Sequence, residues 1–227
     1  MSITIIGLAG RKRCGKDTAA RALTDLGWHR LAFGDQLRNA IEALDPYLVP
    51  DDGSEAVLLS EQLGMGYTWE SLKDSPFRDE ARRLLERGGT EMGRNTIATD
   101  IWITALNRRI HQLADVDADA RIVITDVRFH DEAALVRRWR GLVIQITRPA
   151  AETLTPAHAS DVIDFPVDQT IANDSGVAEL HEQIRLLAGF PEVFVNLAPI
   201  VVLFLAWAVV ILCFFVLAVQ LFVTLIE

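Results

Sequence analysis

Short unbroken apolar runs alternate along this chain with longer stretches in which apolar residues recur every three or four positions. The runs 3–8 and Ile122–Thr125 predict buried strands, and Arg30–Phe33, Leu142–Thr147 and Gln169–Ala172 predict further strands. The periodic stretches predict helices over Thr18–Leu26, from Gly34 through Leu44, and over Phe77–Arg87, Thr90–Leu113, Asp131–Trp139 and Val177–Leu187. Gly27 stops the first helix, Gly88-Gly89 stops the third, and the 90–113 stretch breaks near Arg94-Asn95. Asp45–Glu55 is rich in Pro, Asp and Gly and predicts a loop; 56–75 is mixed; Ala150–Pro166 reads as a polar loop. No internal repeat is visible. Strands alternating with helices predict the α/β class, a parallel sheet with helices on both faces.

The first apolar run leads into Gly10-Arg11-Lys12-Arg13-Cys14-Gly15-Lys16-Asp17-Thr18. A strand, a glycine, four residues, then Gly-Lys opening a helix is the spacing of a phosphate-binding P-loop. Its backbone N–H groups wrap nucleotide phosphates, and its lysine reaches the outer ones. Gly10 and Gly15 suit a loop that needs positive φ and close backbone approach. The residue after the lysine is usually Ser or Thr, with a hydroxyl for Mg²⁺; here Asp17 comes first and Thr18 second. Either one serves the metal, and Thr18 is also placed to meet an inner phosphate.

In parallel sheets, ligands sit beyond the carboxyl ends of the strands. The residues there are the P-loop, Asp35, Asp126 with Arg128, Arg148 and Asn173. Two acids, two arginines and a P-loop describe a phosphoryl-transfer site, which needs alignment and charge cancellation more than covalent chemistry. Lys16 and the loop amides would hold the donor, Asp126 would orient Mg²⁺, and Arg128 and Arg148 would clamp the moving phosphoryl or the acceptor phosphate. Asp35 either meets the acceptor or caps its helix. Arg94, at the break between helices, either binds an acceptor phosphate or makes a surface salt bridge. Asp100 and Trp102 follow it; Trp102 either stacks on a base or belongs to the core. His158 and Ser160 lie in the polar loop.

Charge narrows the choice of partners. The chain has 227 residues, with 22 basic and 31 acidic side chains. All the basic ones, and every acid but Glu192 and Glu227, precede Phe190, so the α/β part is acidic and a poor candidate for nucleic-acid binding. Cys14 and Cys213 are too far apart in kind of segment to form a framework, which fits a reducing cytosol. The first apolar run is too short, and lacks the basic leader, for a signal peptide. Ile200–Ile226 is apolar apart from Gln220 and Thr224, long enough to cross a bilayer. The expected organisation is a kinase-type domain over 1–189 with a lid-like segment at about 148–166, a linker over 190–198 and a transmembrane helix over 199–226. The catalytic domain would then be cytoplasmic and anchored to a membrane by its C-terminal helix.

Taken together, Gly10-xxxx-Gly15-Lys16-Asp17-Thr18, Phe33-Gly34-Asp35-xx-Arg38, Gly89-Thr90-Glu91-x-Gly93-Arg94, Asp100-Ile101-Trp102, Asp126-Val127-Arg128-Phe129-xx-Glu132, Arg148-Pro149 and His158-x-Ser160-Asp161 resemble the phage-type deoxynucleoside monophosphate kinases. The match in order and spacing runs over roughly residues 3–189. The resemblance implies transfer of the ATP γ-phosphoryl to a deoxynucleoside monophosphate, with Mg²⁺. It implies Lys16 and Thr18 on ATP; the expected donor site also takes in Gly10, Arg13, Gly15 and Asp17, with Asn173 added by its position alone, and metal contacts fall among Asp17, Thr18 and Asp126. Asp35, Arg38, Arg94, Asp100 and Trp102 would serve the acceptor, and 148–161 would close over the donor. It leaves a homodimer open and does not predict the apolar tail. Two other readings compete: a kinase of another small phosphorylated acceptor such as dephospho-coenzyme A, and a membrane-tethered P-loop ATPase or nucleotide sensor.

Overall fold

The computed structural model describes residues 3–149 and 163–189. The chain divides into two units, Met1–Arg185 and Leu186–Glu227; of the second, only 186–189 is described. The linker and apolar span expected over 190–226, and the 150–162 part of the lid-like segment with His158 and Ser160, lie outside the described residues. Among the described residues no helix is long and apolar enough to cross a membrane.

The elements in chain order are β1 (Thr4–Ala9), α1 (Lys16–Thr24), β2 (His29–Leu31), α2 (Phe33–Leu44), β3 (Tyr47–Leu48), β4 (Val57–Leu58), α3 (Leu59–Gly64), α4 (Trp69–Leu72), α5 (Arg78–Glu86), a π-helical stretch (Arg87–Ile97), α6 (Ile101–Val116), β5 (Arg121–Val127), α7 (His130–Arg138), β6 (Leu142–Thr147), β7 (Gln169–Ala172) and α8 (Val177–Gly189). Five strands form one sheet in the order β2-β5-β1-β6-β7, every neighbouring pair parallel. The chain fills one side of β1 first and the other afterwards. The crevice at the carboxyl end of β1 is therefore where the connections part.

Side chains alternate across β1. Ile5 and Ala9 join Ile103, Leu106, Ile110, Leu135 and Val136 of α6 and α7 in one core cluster. Ile6 and Leu8, equally buried, turn to the opposite face, where α1 packs and presents Ala19, Ala20 and Leu23. Helices thus cover both faces, as the pattern predicts.

A second core lies in the insertion between α2 and α6. Ile41, Leu48, Leu59, Trp69, Leu72, Phe77 and Ala81 pack together, and the Trp69 indole donates to Glu42 Oε1 at 2.5 Å. This corrects the single loop expected over 45–55: Tyr47–Leu48 pairs antiparallel with Val57–Leu58. A second correction concerns Gly88-Gly89. They do not stop a helix; the backbone continues in a wider coil, closing with Ala98 N–H to Gly93 O at 3.0 Å, an i→i+5 bond. Neighbours occupy the room that side chains would take. A Cβ on Gly93 would lie 2.7 Å from Trp102 Cζ2, and the Trp102 indole donates to Gly89 O at 2.9 Å.

Candidate functional site

The loop between β1 and α1 is shaped by its glycines. Gly10 has φ +139°, and a Cβ there would meet Ile146 O at 2.4 Å and Cys14 Sγ at 2.7 Å. Gly15 has φ +107°, and a Cβ would lie 2.4 Å from Asn173 Nδ2. Between them Arg13 takes φ +67°, uncommon outside glycine. Gly15 brings no side-chain cap to α1, so the first-turn amides are left for an anion. Lys16 Nζ donates back to Gly10 O at 2.6 Å and Arg11 O at 2.8 Å, and lies 3.7 Å from Cys14 Sγ. The Cys14 thiol is buried, and burial pushes its pKa up against the nearby ammonium.

Asn173 ties the far edge of the sheet to this loop. Its backbone N–H donates to Thr147 O at 2.7 Å, and its side-chain amide donates to Cys14 O at 2.9 Å. On α8, a His181 ring nitrogen meets Thr18 O at 3.1 Å. A cleft of about 390 Å³ opens between these elements, lined by Gly15, Thr18, Arg148, Asn173, Asp174 and Val177 among others. Asp17 stands exposed on the first turn of α1. The sequence-predicted donor residues are thus grouped along one edge.

The β5 end is built from charged side chains. Asp126 does not stand open beside the loop. Its Oδ1 accepts from Phe33 N–H at 2.8 Å and its Oδ2 from Gly34 N–H at 2.9 Å, so it caps α2 from 93 residues away. Of the two alternatives for Asp35, acceptor contact or helix cap, the cap is not the one seen, because Asp126 supplies it. Burial raises the Asp126 carboxyl pKa, against the pull of the two amides. Asp35 instead joins two arginines, accepting from Arg30 at 2.8 Å and Arg38 at 2.7 Å. Arg38 Nε is buried and has no hydrogen-bond partner among the described residues.

After β5 the chain turns into α7. Glu132 is only 3 % exposed. Its Oε2 accepts from the backbone N–H of Arg128 at 2.8 Å and of Phe129 at 3.2 Å. Its Oε1 accepts from Arg94 Nη2 at 2.9 Å. The Arg94 guanidinium also lies over the Phe129 ring, 4.7 Å from its centroid, with Asp131 3.7 Å away. Burial above all, with the charge of Asp126, raises the Glu132 pKa to about 7, against Arg94 and the amides. Arg128 itself projects from the exposed turn.

Trp102 and Asp100 are the other two residues expected at the acceptor. Trp102 is buried, its ring against Gly93, so its core alternative is the one the fold uses. Asp100 is exposed at the start of α6 and accepts from Thr104 Oγ1 at 3.2 Å; it lines a separate groove with Asn107, Asp131 and Arg138. Sequence reading missed the work of Glu132. The available signal was a glutamate three residues after Phe129 ahead of an apolar stretch, the spacing of a capping glutamate.

A glycine-shaped anion loop after the central strand of a parallel α/β sheet, opening on a cleft, is the arrangement found in P-loop nucleotide-binding domains. The chain is 29% identical over 198 residues to a protein of Acanthamoeba polyphaga mimivirus described as "Putative deoxynucleotide monophosphate kinase", covering 80% of this chain and 94% of that one. The resemblance carried by the motifs is shown by this relative, and loop, sheet and relative together support a nucleotide kinase of the P-loop kind. Residues 139–227 match the model of another family, the TrbL/VirB6 plasmid conjugal transfer protein. That stretch takes in β6, β7, α8 and the apolar tail. Among solved structures, the dephospho-CoA kinase from Campylobacter jejuni is 16% identical, with 83% of this chain and 96% of that chain covered and a TM-score of 0.42. The Mycobacterium tuberculosis APS kinase CysC, solved with AMPPNP and APS, is 16% identical, with 82% and 97% covered and a TM-score of 0.39.

Proposed function

We propose that this chain is an ATP-dependent kinase that passes the γ-phosphoryl group to a deoxynucleoside 5'-monophosphate. An acceptor phosphate oxygen attacks the γ-phosphorus, the bond to the β–γ bridging oxygen breaks, and ADP leaves with the diphosphate product. The observation that carries the reading is the pairing of a donor loop on β1 with an arginine-bearing turn on the adjacent strand β5.

In this reading the open amides of α1 hold the β-phosphate, and Lys16 swings from Gly10 O and Arg11 O onto the outer phosphates. Arg148 and Asn173 flank the donor base in the cleft. Arg94 and Arg38, with Arg128, receive the acceptor phosphate and cancel charge as it approaches the donor.

Thr18 and Asp17 are the residues that would hold a Mg²⁺ ion beside the donor, and the ion would supply neutralisation of phosphate charge. No cluster of three His, Cys, Asp or Glu side chains that would hold a metal by itself occurs among the described residues. The residues present fit an ion held mainly by phosphate and water, as Mg²⁺ commonly is. Thr18, on the cleft wall, would supply a hydroxyl, and Asp17 a carboxylate from the same turn. Asp126, with an amide on each oxygen, fits an outer role through water.

The test is ADP release by the full chain with ATP and Mg²⁺ against each deoxynucleoside monophosphate, with dephospho-coenzyme A in the same panel. Turnover that requires one of the nucleotides supports the assignment. Turnover only with dephospho-coenzyme A moves it to another acceptor, and acceptor-independent hydrolysis or none at all ends it.

A further inference from the structure

Arg94 and Arg128 come from elements that share no backbone. Arg94 lies in the π-helical stretch, while Arg128 lies in the turn from β5 to α7. One buried carboxylate holds both. Glu132 Oε1 takes the Arg94 guanidinium, and Oε2 takes the main-chain amides of Arg128 and Phe129. The Phe129 side chain closes the arrangement by lying under Arg94. Other groups do not duplicate this work. Asp131 is 3.7 Å from Arg94 and about half exposed at its side chain, and the Asp126 oxygens serve α2.

A helix cap alone would not need a charge, since a neutral amide oxygen accepts backbone N–H bonds as well. What requires the carboxylate is the guanidinium. Burying a charge is costly unless it is well partnered, and Glu132 is almost wholly buried. Above its raised pKa of about 7 the carboxylate carries its charge at the one place where that charge fixes the direction of an arginine.

We infer that Glu132 is a positioning residue for the acceptor phosphate: it holds Arg94 and the Arg128 turn in one fixed relation, so that both arginines meet the same phosphate. The inference rests on the kinase reading above. Glu132 touches no reacting atom; it acts through Arg94.

Glu132→Gln separates the two jobs. Glutamine keeps an oxygen for the amides of Arg128 and Phe129 but presents no charge to Arg94. In the full chain, the KM for the deoxynucleoside monophosphate rises roughly 10-fold or more, as expected for loss of a buried charged partner. The KM for ATP stays at its wild-type value. Once Arg94 is already alanine, Glu132→Gln adds no further rise, because the two act as a unit. Glu132→Asp, which keeps the charge on a shorter stem, recovers part of the loss. Melting temperature and titration calorimetry with the same monophosphates run alongside, so that an unfolded variant is recognised and acceptor affinity is read without turnover.

A variant that melts earlier but keeps both KM values would make Glu132 a helix cap and overturn the inference. So would losses that add fully in the double variant, or a shift confined to ATP. If wild type turns over nucleotides and Glu132→Gln leaves acceptor affinity unchanged, only this inference falls. If wild type neither binds nor phosphorylates any monophosphate, the kinase reading falls and takes this one with it.

Discussion

The loop after β1 and the turn after β5 follow neighbouring strands at the carboxyl end of the sheet, yet they are built from different material. The first is made of backbone. Glycines at positive φ, open amides and carbonyls give it its shape, and its lysine rests on main-chain oxygens. The second is made of side chains from distant segments, Arg94 on Glu132 across 38 residues and Asp126 on α2 across 93. A backbone cradle recognises what all nucleotide triphosphates share. An arrangement of paired side chains can be tuned to one acceptor, at the cost of burying charge.

The contrast can be broken first at Lys16. Lys16→Ala should lower kcat by roughly 10²- to 10³-fold, the loss seen when one preorganised charge-stabilising donor is removed; steady-state kinetics at saturating ATP would check it. Next, Arg94→Ala should raise the acceptor KM roughly 10- to 100-fold with ATP binding untouched. An equal effect on both substrates would erase the division between the two sites.

The third test is thermodynamic. Glu132 titrates at about 7 in the fold, above the ordinary 4.5 for this group. The folded state therefore binds the proton more tightly than the unfolded one. The associated stability is fully present below the ordinary pKa and lost as pH rises through the raised one. Between about pH 5 and about pH 7 the loss is on the order of 2 kcal/mol. The Glu132→Gln variant lacks this slope, so it should gain on wild type in denaturant midpoint across that interval. Parallel curves would mean the carboxyl is not desolvated.

Smaller again, Asn173→Ala removes one bond to Cys14 O and should raise the ATP KM by about fivefold. Smallest of all, ending the chain at Gly189 should leave kcat and both KM values unchanged. A loss of turnover there would give the apolar tail a part in catalysis.

The same contrast explains what could be read from the sequence. The three central strands were legible because β1, β5 and β6 are buried apolar runs, and the loop was legible because its geometry demands glycine at fixed spacing. The insertion was not. Its core draws single residues such as Leu48, Leu59, Trp69 and Phe77 from elements too short to show a period. Gly88 and Gly89 read as a helix stop because nothing local reveals that Leu37 fills the space beside them. Asp126 followed an apolar strand as a metal-orienting acid would, but its partners are amides of Phe33 and Gly34, and no local pattern records them.

The two carbonyls that hold the Lys16 ammonium have a further result for binding. The side chain is already drawn in over the cradle, with its rotamers restricted, before any anion arrives. In the proposed kinase reading a triphosphate redirects an ammonium group that is already ordered, and little fresh ordering opposes its capture. The exchange is one set of oxygens for another, so phosphate must outcompete peptide carbonyls as well as water.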